Sequence, residues 1–235
     1  MKKTLLLLLL PFSLLAQNEK AFEVYGEGVR AFYAQDFPTA LAKYNEALAI
    51  KPNTVGYLYN RGLVLLKLNN LKLAKEDFIK IISLDSNYMD AYYQLGKLEL
   101  DEKQFDSAFF YFRKALIINP NHVKSLEEMG LLFYYKRKNK EALDIYNKVV
   151  ELKPDEEQAF YKRALVKVNM ADFEGAIKDF SKVYELNPQN TIALEQRASA
   201  YQKANNIENA CKDWHELLIK GNKKAQENIY QFCVK

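Results

Sequence analysis

The amino-acid sequence predicts an all-α protein, a solenoid of stacked helical hairpins. Three observations carry this prediction: a repeat period of 34 residues, small residues at two fixed places of each repeat, and an aromatic residue at a third. A fixed period in this range is the signature of a repeat architecture. The six predicted repeats are 21–54, 55–88, 89–122, 123–156, 157–190 and 191–224.

Small and aromatic residues recur at fixed places of the repeat. The eighth place holds Gly28, Gly62, Gly96, Gly130, Ala164 and Ala198. The twentieth place holds Ala40, Ala74, Ala108, Ala142, Ala176 and Ala210. The twenty-fourth place holds Tyr44, Phe78, Phe112, Tyr146, Phe180 and Trp214. Small residues allow two helices to approach closely, and an aromatic residue four places later lies on the same helical face and fills the space beside that contact.

Each repeat contains two segments with helical apolar periodicity, which in the third repeat are 92–101 and 107–118. Proline cannot continue a helix, so it ends the second segment and starts the next repeat. It stands at Pro52, Pro120, Pro154 and Pro188. One hairpin cannot bury its apolar face alone, and stacking the repeats produces a continuous core.

The repeats resemble the tetratricopeptide repeat. The third repeat has the signature residues of that family at their spacings, namely Tyr92, Leu95, Gly96, Ala108, Phe112, Ala115 and Pro120. The resemblance covers residues 21–224 and implies a right-handed α-solenoid of helix-turn-helix repeats. It also implies a scaffold that binds other proteins, although the signature residues do not name the partner.

The N-terminus is predicted to be a targeting segment. Lys2 and Lys3 form a positive start, residues 5–15 form an apolar run, and Ala16 is a small residue at a cleavage position. We therefore expect residues 1–16 to be a signal peptide and residues 17–235 to form a single array of repeats. The alternative is that the segment stays uncleaved as an anchor. Leu14, two residues before Ala16, is bulkier than a signal peptidase prefers at its place. If the segment is cleaved, no membrane span is expected in the mature chain.

Composition excludes several classes of function. Without Lys2 and Lys3 the formal net charge falls from +4 to +2, because 32 basic residues then face 30 acidic ones. A chain so nearly balanced has no electrostatic footprint for nucleic acid. His122 and His215 fit no metal-binding spacing, and no nucleophile or phosphate-binding motif is present. The sequence therefore predicts no enzyme activity, no catalytic residue, no metal and no cofactor.

The tail is predicted to be a capping helix over residues 223–234. Ala225, Ile229, Phe232 and Cys233 share one of its faces and would cover the open edge of the sixth repeat. Cys211 and Cys233 are the only two cysteines. After a secretory signal such a pair indicates one disulfide, and an antiparallel turn at Gly221 would bring the two residues level.

The seventh and twenty-third places of the repeat vary together. Oppositely charged pairs occur four times: Glu27 with Lys43, Arg61 with Asp77, Arg163 with Asp179, and Arg197 with Asp213. The other two repeats pair apolar residues, Leu95 with Tyr111 and Met129 with Ile145. Chance is one interpretation in a charge-rich sequence, and direct contact between the two helices of a repeat is the other.

The family resemblance also implies a binding groove. The first helix of each repeat would line a concave surface, with the fifth place pointing into it; this place holds Tyr25, Tyr59, Tyr93, Glu127, Tyr161 and Glu195. Neighbouring groove places add Phe32, Leu63, Lys67, Lys97, Leu131 and Tyr134. The tyrosines are either packing along the wall or binding anchors, since tyrosine offers contact area and a hydroxyl at low entropic cost.

Taken together, these features predict an exported protein-interaction scaffold in a bacterial cell envelope, most naturally periplasmic, that binds a protein or peptide through its groove. The alternative is a periplasmic receptor or chaperone that binds extended peptide segments transiently. The sequence leaves the oligomeric state and the identity of the partner open.

Overall fold

The computed structural model describes residues 10–234, and it is all-α in that range, as predicted. It contains thirteen α-helices followed by one π-helical turn. They are α1 (Leu10–Tyr33), α2 (Phe37–Ile50), α3 (Val55–Lys67), α4 (Leu71–Leu84), α5 (Met89–Asp101), α6 (Phe105–Ile118), α7 (Val123–Tyr135), α8 (Asn139–Leu152), α9 (Glu157–Asn169), α10 (Phe173–Leu186), α11 (Thr191–Lys203), α12 (Ile207–Ile219), α13 (Ala225–Asn228) and the π turn Ile229–Cys233.

The helices form hairpins that stack within two compact units, which divide after Pro120. In the first unit α1 pairs with α2, α3 with α4 and α5 with α6, and α3 and α5 each also pack on the preceding hairpin. In the second unit α7 pairs with α8, α9 with α10 and α11 with α12, and α13 packs against α12. The single array predicted for residues 17–235 remains a prediction.

Glycine at the eighth place is required by the close approach of two helices. A Cβ atom added to Gly62 would lie 2.7 Å from the Phe78 ring, and one added to Gly28 would lie 2.7 Å from the Tyr44 ring. The alanine at the twentieth place is 0% exposed in all six repeats. The packing that the sequence pattern predicted for these places is therefore confirmed.

The turn inside every hairpin contains a residue in the left-handed region, always at the fifteenth place of the repeat. These residues are Gln35, Asn69, Lys103, Arg137, Ala171 and Asn205, with φ of 57–61°. None is glycine, and only Asn69 and Asn205 are of a residue type that favours this conformation. Gly221, in the predicted turn after α12, also has a positive φ of 89°.

In four repeats the side chain at the sixteenth place caps the N-terminus of the second helix. Asp172 Oδ1 accepts the backbone N–H of Gly175 at 2.9 Å, which satisfies one of the unpaired donors of the first turn of α10. Asp36, Asn70 and Asn206 cap α2, α4 and α12 in the same way. Gln104 and Lys138 make no such bond at the starts of α6 and α8.

The structure describes the predicted signal peptide only in part. Residues 1–9 of the predicted signal peptide lie outside the described residues, and α1 runs without a break from Leu10 through Ala16. No helix within residues 10–234 is both long and apolar enough to cross a membrane.

The tail departs from the regular helix predicted over 223–234. It begins at Ala225 and has a single α-helical turn before the π turn Ile229–Cys233. A π turn closes i→i+5 instead of i→i+4 and so carries more residues per turn. Phe232 stacks on Trp214 and Cys233 bonds to Cys211, so both consecutive side chains reach α12. The predicted face of Ala225, Ile229, Phe232 and Cys233 is thus present, although the α-helical part is short and ends in a π turn.

Candidate binding surface on the first helices

The fifth-place tyrosines are half-buried and pack on the aromatic core of their own hairpin. Each ring meets the twenty-fourth-place ring of the paired helix at a similar distance. The centroid separations are 5.6 Å for Tyr25–Tyr44, 5.9 Å for Tyr59–Phe78, 6.0 Å for Tyr93–Phe112 and 5.7 Å for Tyr161–Phe180. The core thus fixes one side of each ring, while part of the ring remains accessible. We call the side of the first helices that carries these residues the inner face.

Polar links join neighbouring first helices across the inner face. Asn60 Nδ2 in α3 donates to the hydroxyl of Tyr25 in α1, and the hydroxyl of Tyr59 shares a hydrogen bond with Gln94 in α5. In the second unit, Lys162 Nζ in α9 lies 3.3 Å from Glu127 Oε1 in α7. Each link connects the fifth place of one repeat with the sixth place of the next. These links were not predicted from the sequence, although residue types that can form hydrogen bonds or ion pairs with each other occur at the two places.

The other groove residues of the first compact unit also line the inner face. Phe32 is half-buried and packs edge-on against Phe37, with a centroid distance of 5.9 Å. Leu63 packs against the buried core of α3 and α4, whereas Lys67 is exposed at the end of α3. Tyr93 and Lys97 line a shallow cavity of about 500 Å³ together with Leu66. In this unit, therefore, apolar, phenolic and amine groups lie side by side.

In the second compact unit three of the predicted groove residues lie on the inner face. Leu131 and Tyr134 are half-buried on α7, and Tyr161 is half-buried on α9. The ring of Tyr134 packs against exposed Tyr135 at a centroid distance of 5.9 Å. This unit offers fewer tyrosines at the fifth place because Glu127 and Glu195 stand there instead.

Burial raises the pKa of two inner-face phenols and of one phenol in the core beneath them. It raises the pKa of Tyr25 and of Tyr59, and the hydrogen bonds with Asn60 and Gln94 oppose that effect only in part. The pKa of Tyr44, beneath Tyr25, is raised by burial to about 12. The phenols at these positions can therefore offer ring faces and hydrogen bonds to a ligand, but no anionic nucleophile at neutral pH.

The predicted contact between the seventh and twenty-third places is confirmed for every charged pair. Lys43 lies 2.5 Å from Glu27, and the arginines lie 2.6–2.7 Å from the aspartates. Three arginines also reach back to the preceding repeat, Arg61 to Asn45, Arg163 to Asn147 and Arg197 to Ser181. Each arginine thereby joins its own first helix to the second helix of the same repeat and to the second helix of the preceding repeat.

Cys211 and Cys233 form the predicted disulfide, with a Cα–Cα separation of 5.8 Å. The bond connects α12 to the π turn at the end of the tail. Ala225 and Ile229 are buried against α11 and α12, as the predicted apolar face of the tail requires.

Both histidines have structural partners. His122 Nδ1 lies 2.8 Å from Ser125 Oγ at the start of α7, and His215 Nδ1 lies 2.7 Å from the carbonyl oxygen of Cys211 one turn earlier in α12. In the described range no three His, Cys, Asp or Glu side chains come together as ligands of a metal ion would.

Hairpins of this geometry, stacked through small residues and aromatic rings, define an α-helical repeat protein of the protein-interaction class. The chain belongs to the tetratricopeptide repeat family. Models described as "TPR repeat" and "Tetratricopeptide repeat" match residues 28–69, 55–88, 89–122, 123–156 and 157–190, which together span more than half of the chain. Residues 191–224 lie outside these matches, but α11 and α12 form the same hairpin.

Curated relatives share only part of their length with this chain. DnaJ homolog subfamily C member 7 of Mus musculus is 37% identical over 97 residues, which are 39% of this chain and 20% of the relative. The E3 ubiquitin-protein ligase CHIP of Arabidopsis thaliana is 34% identical over 82 residues, 35% of this chain and 30% of the relative. The match thus spans about a fifth to a third of these proteins.

Solved structures resemble most of this chain in fold. The pilF protein of Pseudomonas aeruginosa superposes with a TM-score of 0.72 at 17% identity, covering 92% of this chain and 99% of its own. YrrB, described as a TPR protein with an unusual peptide-binding site, has a TM-score of 0.71 at 21% identity, covering 80% and 97%. At these identities the likeness establishes the fold alone.

Proposed function

We propose that this chain is an exported scaffold that binds a protein partner across its inner face. One observation carries the proposal: Tyr25, Tyr59 and Tyr93 recur on three successive first helices of the first compact unit, each partly accessible. Tyrosine is enriched among residues that dominate binding energy, because its ring is large, rigid and amphipathic. Leu63 and Lys97 add apolar and cationic contacts beside the rings.

A protein segment suits this surface better than other ligands. The tyrosine hydroxyls of Tyr25 and Tyr59 are already engaged by Asn60 and Gln94, so a ligand meets ring faces and edges more than hydroxyls. Apolar side chains of an extended segment or an amphipathic helix pack well on such rings. Nucleic acid would require a basic stripe, and the inner face carries only scattered amines such as Lys67 and Lys97.

Two features support export. The basic start and apolar run of residues 1–16 have the pattern of a secretory signal. The disulfide between Cys211 and Cys233 belongs to an oxidising compartment such as the periplasm, whereas cytosolic thiols are usually kept reduced. The test is the mass of the protein isolated from its native host. We expect a mature chain that begins at Gln17 and carries one disulfide; a full-length chain with two alkylatable thiols in the cytosol would contradict export.

The partner is sought by affinity purification of the tagged full chain from envelope fractions, in parallel with the Tyr59→Ala/Tyr93→Ala variant. A scaffold is expected to retain a stable complex that this variant loses. A receptor for extended peptides is expected instead to bind short synthetic segments of secreted proteins with no co-purifying complex. Recovery of the same proteins with both chains would contradict binding through the inner face.

A further inference from the structure

The second helix of each hairpin has one buried side and one exposed side. In α6 the residues Ala108, Phe112 and Ala115 are 0% exposed and face the first helices. Phe110, Arg113, Lys114 and Ile117 are exposed on the opposite side, as the helical period requires. We call this opposite side of a second helix its outer face.

Large exposed apolar residues concentrate on α4 and α6. Each of these helices carries three, whereas α2, α8 and α10 carry none, and α12 exposes only Leu218 and Ile219 near its C-terminal end. Together they form what we call the outer patch: Leu73, Ile79, Leu84, Phe105, Phe110 and Ile117, exposed by 43–64%. Both helices pack against α5 within the first compact unit. An apolar concentration of this kind on a soluble surface marks an interaction site.

The hairpin itself does not need these apolar residues. Phe110 occupies the twenty-second place of its repeat and Ile117 the twenty-ninth. In α8 the same two places hold Asp144 and Glu151, and the aromatic core of that hairpin is equally buried, with Tyr146 1% exposed. The stability of the fold therefore does not explain the apolar residues of α6.

Basic side chains outnumber acidic ones on the exposed surfaces of α4 and α6. Four cations are exposed on the two helices, namely Lys72, Lys80, Arg113 and Lys114. Only Glu76 and Asp106 are exposed acidic residues there, which leaves a surplus of two positive charges. The ammonium of Lys114 lies over the ring of Phe110, 5.6 Å from its centroid, so charge and apolar area are adjacent. Electrostatic complementarity at such a rim selects an acidic partner and speeds association.

We propose that the outer patch is a second docking surface, which takes an acidic amphipathic helix of a protein partner. Phe110 and Ile117 lie about two turns apart on one helical face, the spacing at which a partner helix presents its own apolar residues. Carboxylates beside that apolar stripe would meet Arg113 and Lys114. An anionic bilayer fits less well, because Glu76 and Asp106 share the surface and would face lipid phosphates. The surface is independent of the inner face and does not rest on the function proposed for it.

The test uses the full chain and a fluorescent synthetic helix of about 18 residues, with leucines along one face and glutamates beside them. The patch variant is Phe110→Asp/Ile117→Glu, which copies the residues that α8 carries at these places. The matched control is Ala42→Asp/Ala49→Glu, which introduces the same two side chains at the same places of α2. We expect the patch variant to bind the acidic peptide at least about 10-fold more weakly than the native chain and the control to bind it normally.

Charge reversal provides a test that does not depend on the apolar substitutions. Arg113→Glu/Lys114→Glu should lose affinity for the acidic peptide and gain affinity for a peptide with lysine in place of glutamate. Binding of the acidic peptide by the native chain should also weaken as salt is raised. Phe110→Asp/Ile117→Glu should cause the same loss of binding in a Tyr59→Ala/Tyr93→Ala background, which separates the outer patch from the inner face.

Several results would overturn the proposal. One is equal binding of the acidic peptide by the native chain and by a patch variant whose circular dichroism shows it folded. Another is preference of the native chain for the basic peptide. Patch-dependent binding to phosphatidylglycerol vesicles without peptide binding would assign the surface to membranes. Patch-dependent self-association in sedimentation, again without peptide binding, would assign it to a second copy of the chain.

Discussion

Arg61 holds Asp77 through two parallel hydrogen bonds: Nε donates at 2.8 Å and Nη2 donates at 2.6 Å to the two carboxylate oxygens. Asp77 is only 4% exposed, so its carboxylate takes hydrogen bonds from Arg61 where an exposed carboxylate would take them from water. The remaining nitrogen, Nη1, donates to Asn45 at 2.9 Å. One guanidinium therefore connects α2, α3 and α4, and bidentate geometry of this kind is specific to arginine.

Removing one partner of this pair should cost more than replacing both. Arg61→Leu leaves a buried carboxylate without its cation, and we expect a loss of about 2–3 kcal/mol in the free energy of unfolding. Arg61→Leu/Asp77→Tyr copies Leu95 and Tyr111 of the next repeat and should be the more stable of the two. Urea unfolding of both variants measures this difference. Strict additivity with Asp77→Tyr alone would contradict the coupling. The exposed pair Glu208–Lys212 is the control, and its loss should leave the free energy of unfolding almost unchanged.

The disulfide should stabilise the C-terminal cap. It closes a loop with a sequence separation of 22, and a loop of this size contributes about 3 kcal/mol in the chain-entropy description. We expect reduction to lower the melting temperature of the native chain and to leave that of Cys211→Ser/Cys233→Ser unchanged. Hydrogen exchange should locate the loss in α12 and the tail. If the backbone amides of Trp214 and its neighbours were equally protected from hydrogen exchange with and without reductant, the tail would stay packed on α12 without the disulfide.

One turn residue is poorly suited to its conformation. Ala171 has a φ of 59°, in a region that costs a residue with a Cβ atom about 1–2 kcal/mol. Ala171→Gly removes this cost but makes the unfolded chain more flexible, so we expect a net gain of about 0.5–1 kcal/mol. Asn tolerates this region, and Asn205→Gly at the same place of the next repeat should give a smaller gain or none. Thermal and urea unfolding of the two variants measure the contrast, and an equal response would contradict the strain at Ala171.

Alkaline pH should destabilise the first compact unit through its buried phenols. Burial raises the pKa of Tyr44 from its ordinary value of 10.0 to about 12. The folded state therefore holds this proton more tightly than the unfolded state. Its contribution to stability is complete below about pH 10 and is lost as the pH rises toward 12. Tyr44→Phe, which copies Phe78, should lose less stability between pH 9 and 11.5 than the native chain. Identical losses in urea unfolding at the two pH values would contradict the role of Tyr44.

Sequence reasoning predicted the hairpins and their packing because each rests on local chemistry. Gly62 and Phe78 show why: a missing Cβ atom and a ring occupy one space, and the 34-residue period repeats that solution. The charged pairs were predicted for the same reason, since Arg61 and Asp77 vary as a pair across the repeats. The disulfide followed from the cysteine count and the turn at Gly221.

Other features depended on information that a sequence pattern does not contain. The left-handed turn residues were missed because Ala171 and Lys103 are not residues that favour that conformation. The π turn was missed because the side chains of Phe232 and Cys233, which both reach α12, override the ordinary helical period. The outer patch was missed because a single Phe110 or Ile117 is unremarkable in sequence, and only exposure on neighbouring helices makes it a surface.

The proposed function requires the inner-face tyrosines to be binding anchors and not only residues that pack against the core of their own hairpin. Tyr59 packs on Phe78 and Tyr88, so Tyr59→Ala is expected to lower stability somewhat whichever role it has. The affinity of the folded protein for its partner distinguishes a binding anchor from a residue that only packs. Leu217→Ala, which empties a buried site of α12 in the second compact unit, is the control that lowers stability away from Tyr59 and Tyr93.

The decisive measurement is the dissociation constant of the co-purified partner for the native chain, Tyr59→Ala, Tyr93→Ala and Leu217→Ala, at a temperature where all four are folded. We predict a loss of about 1–2 kcal/mol or more, roughly 5-fold or greater, for each tyrosine variant and no change for the folded Leu217 variant. Unchanged affinity for both tyrosine variants would contradict binding through the inner face and place the partner elsewhere on the chain.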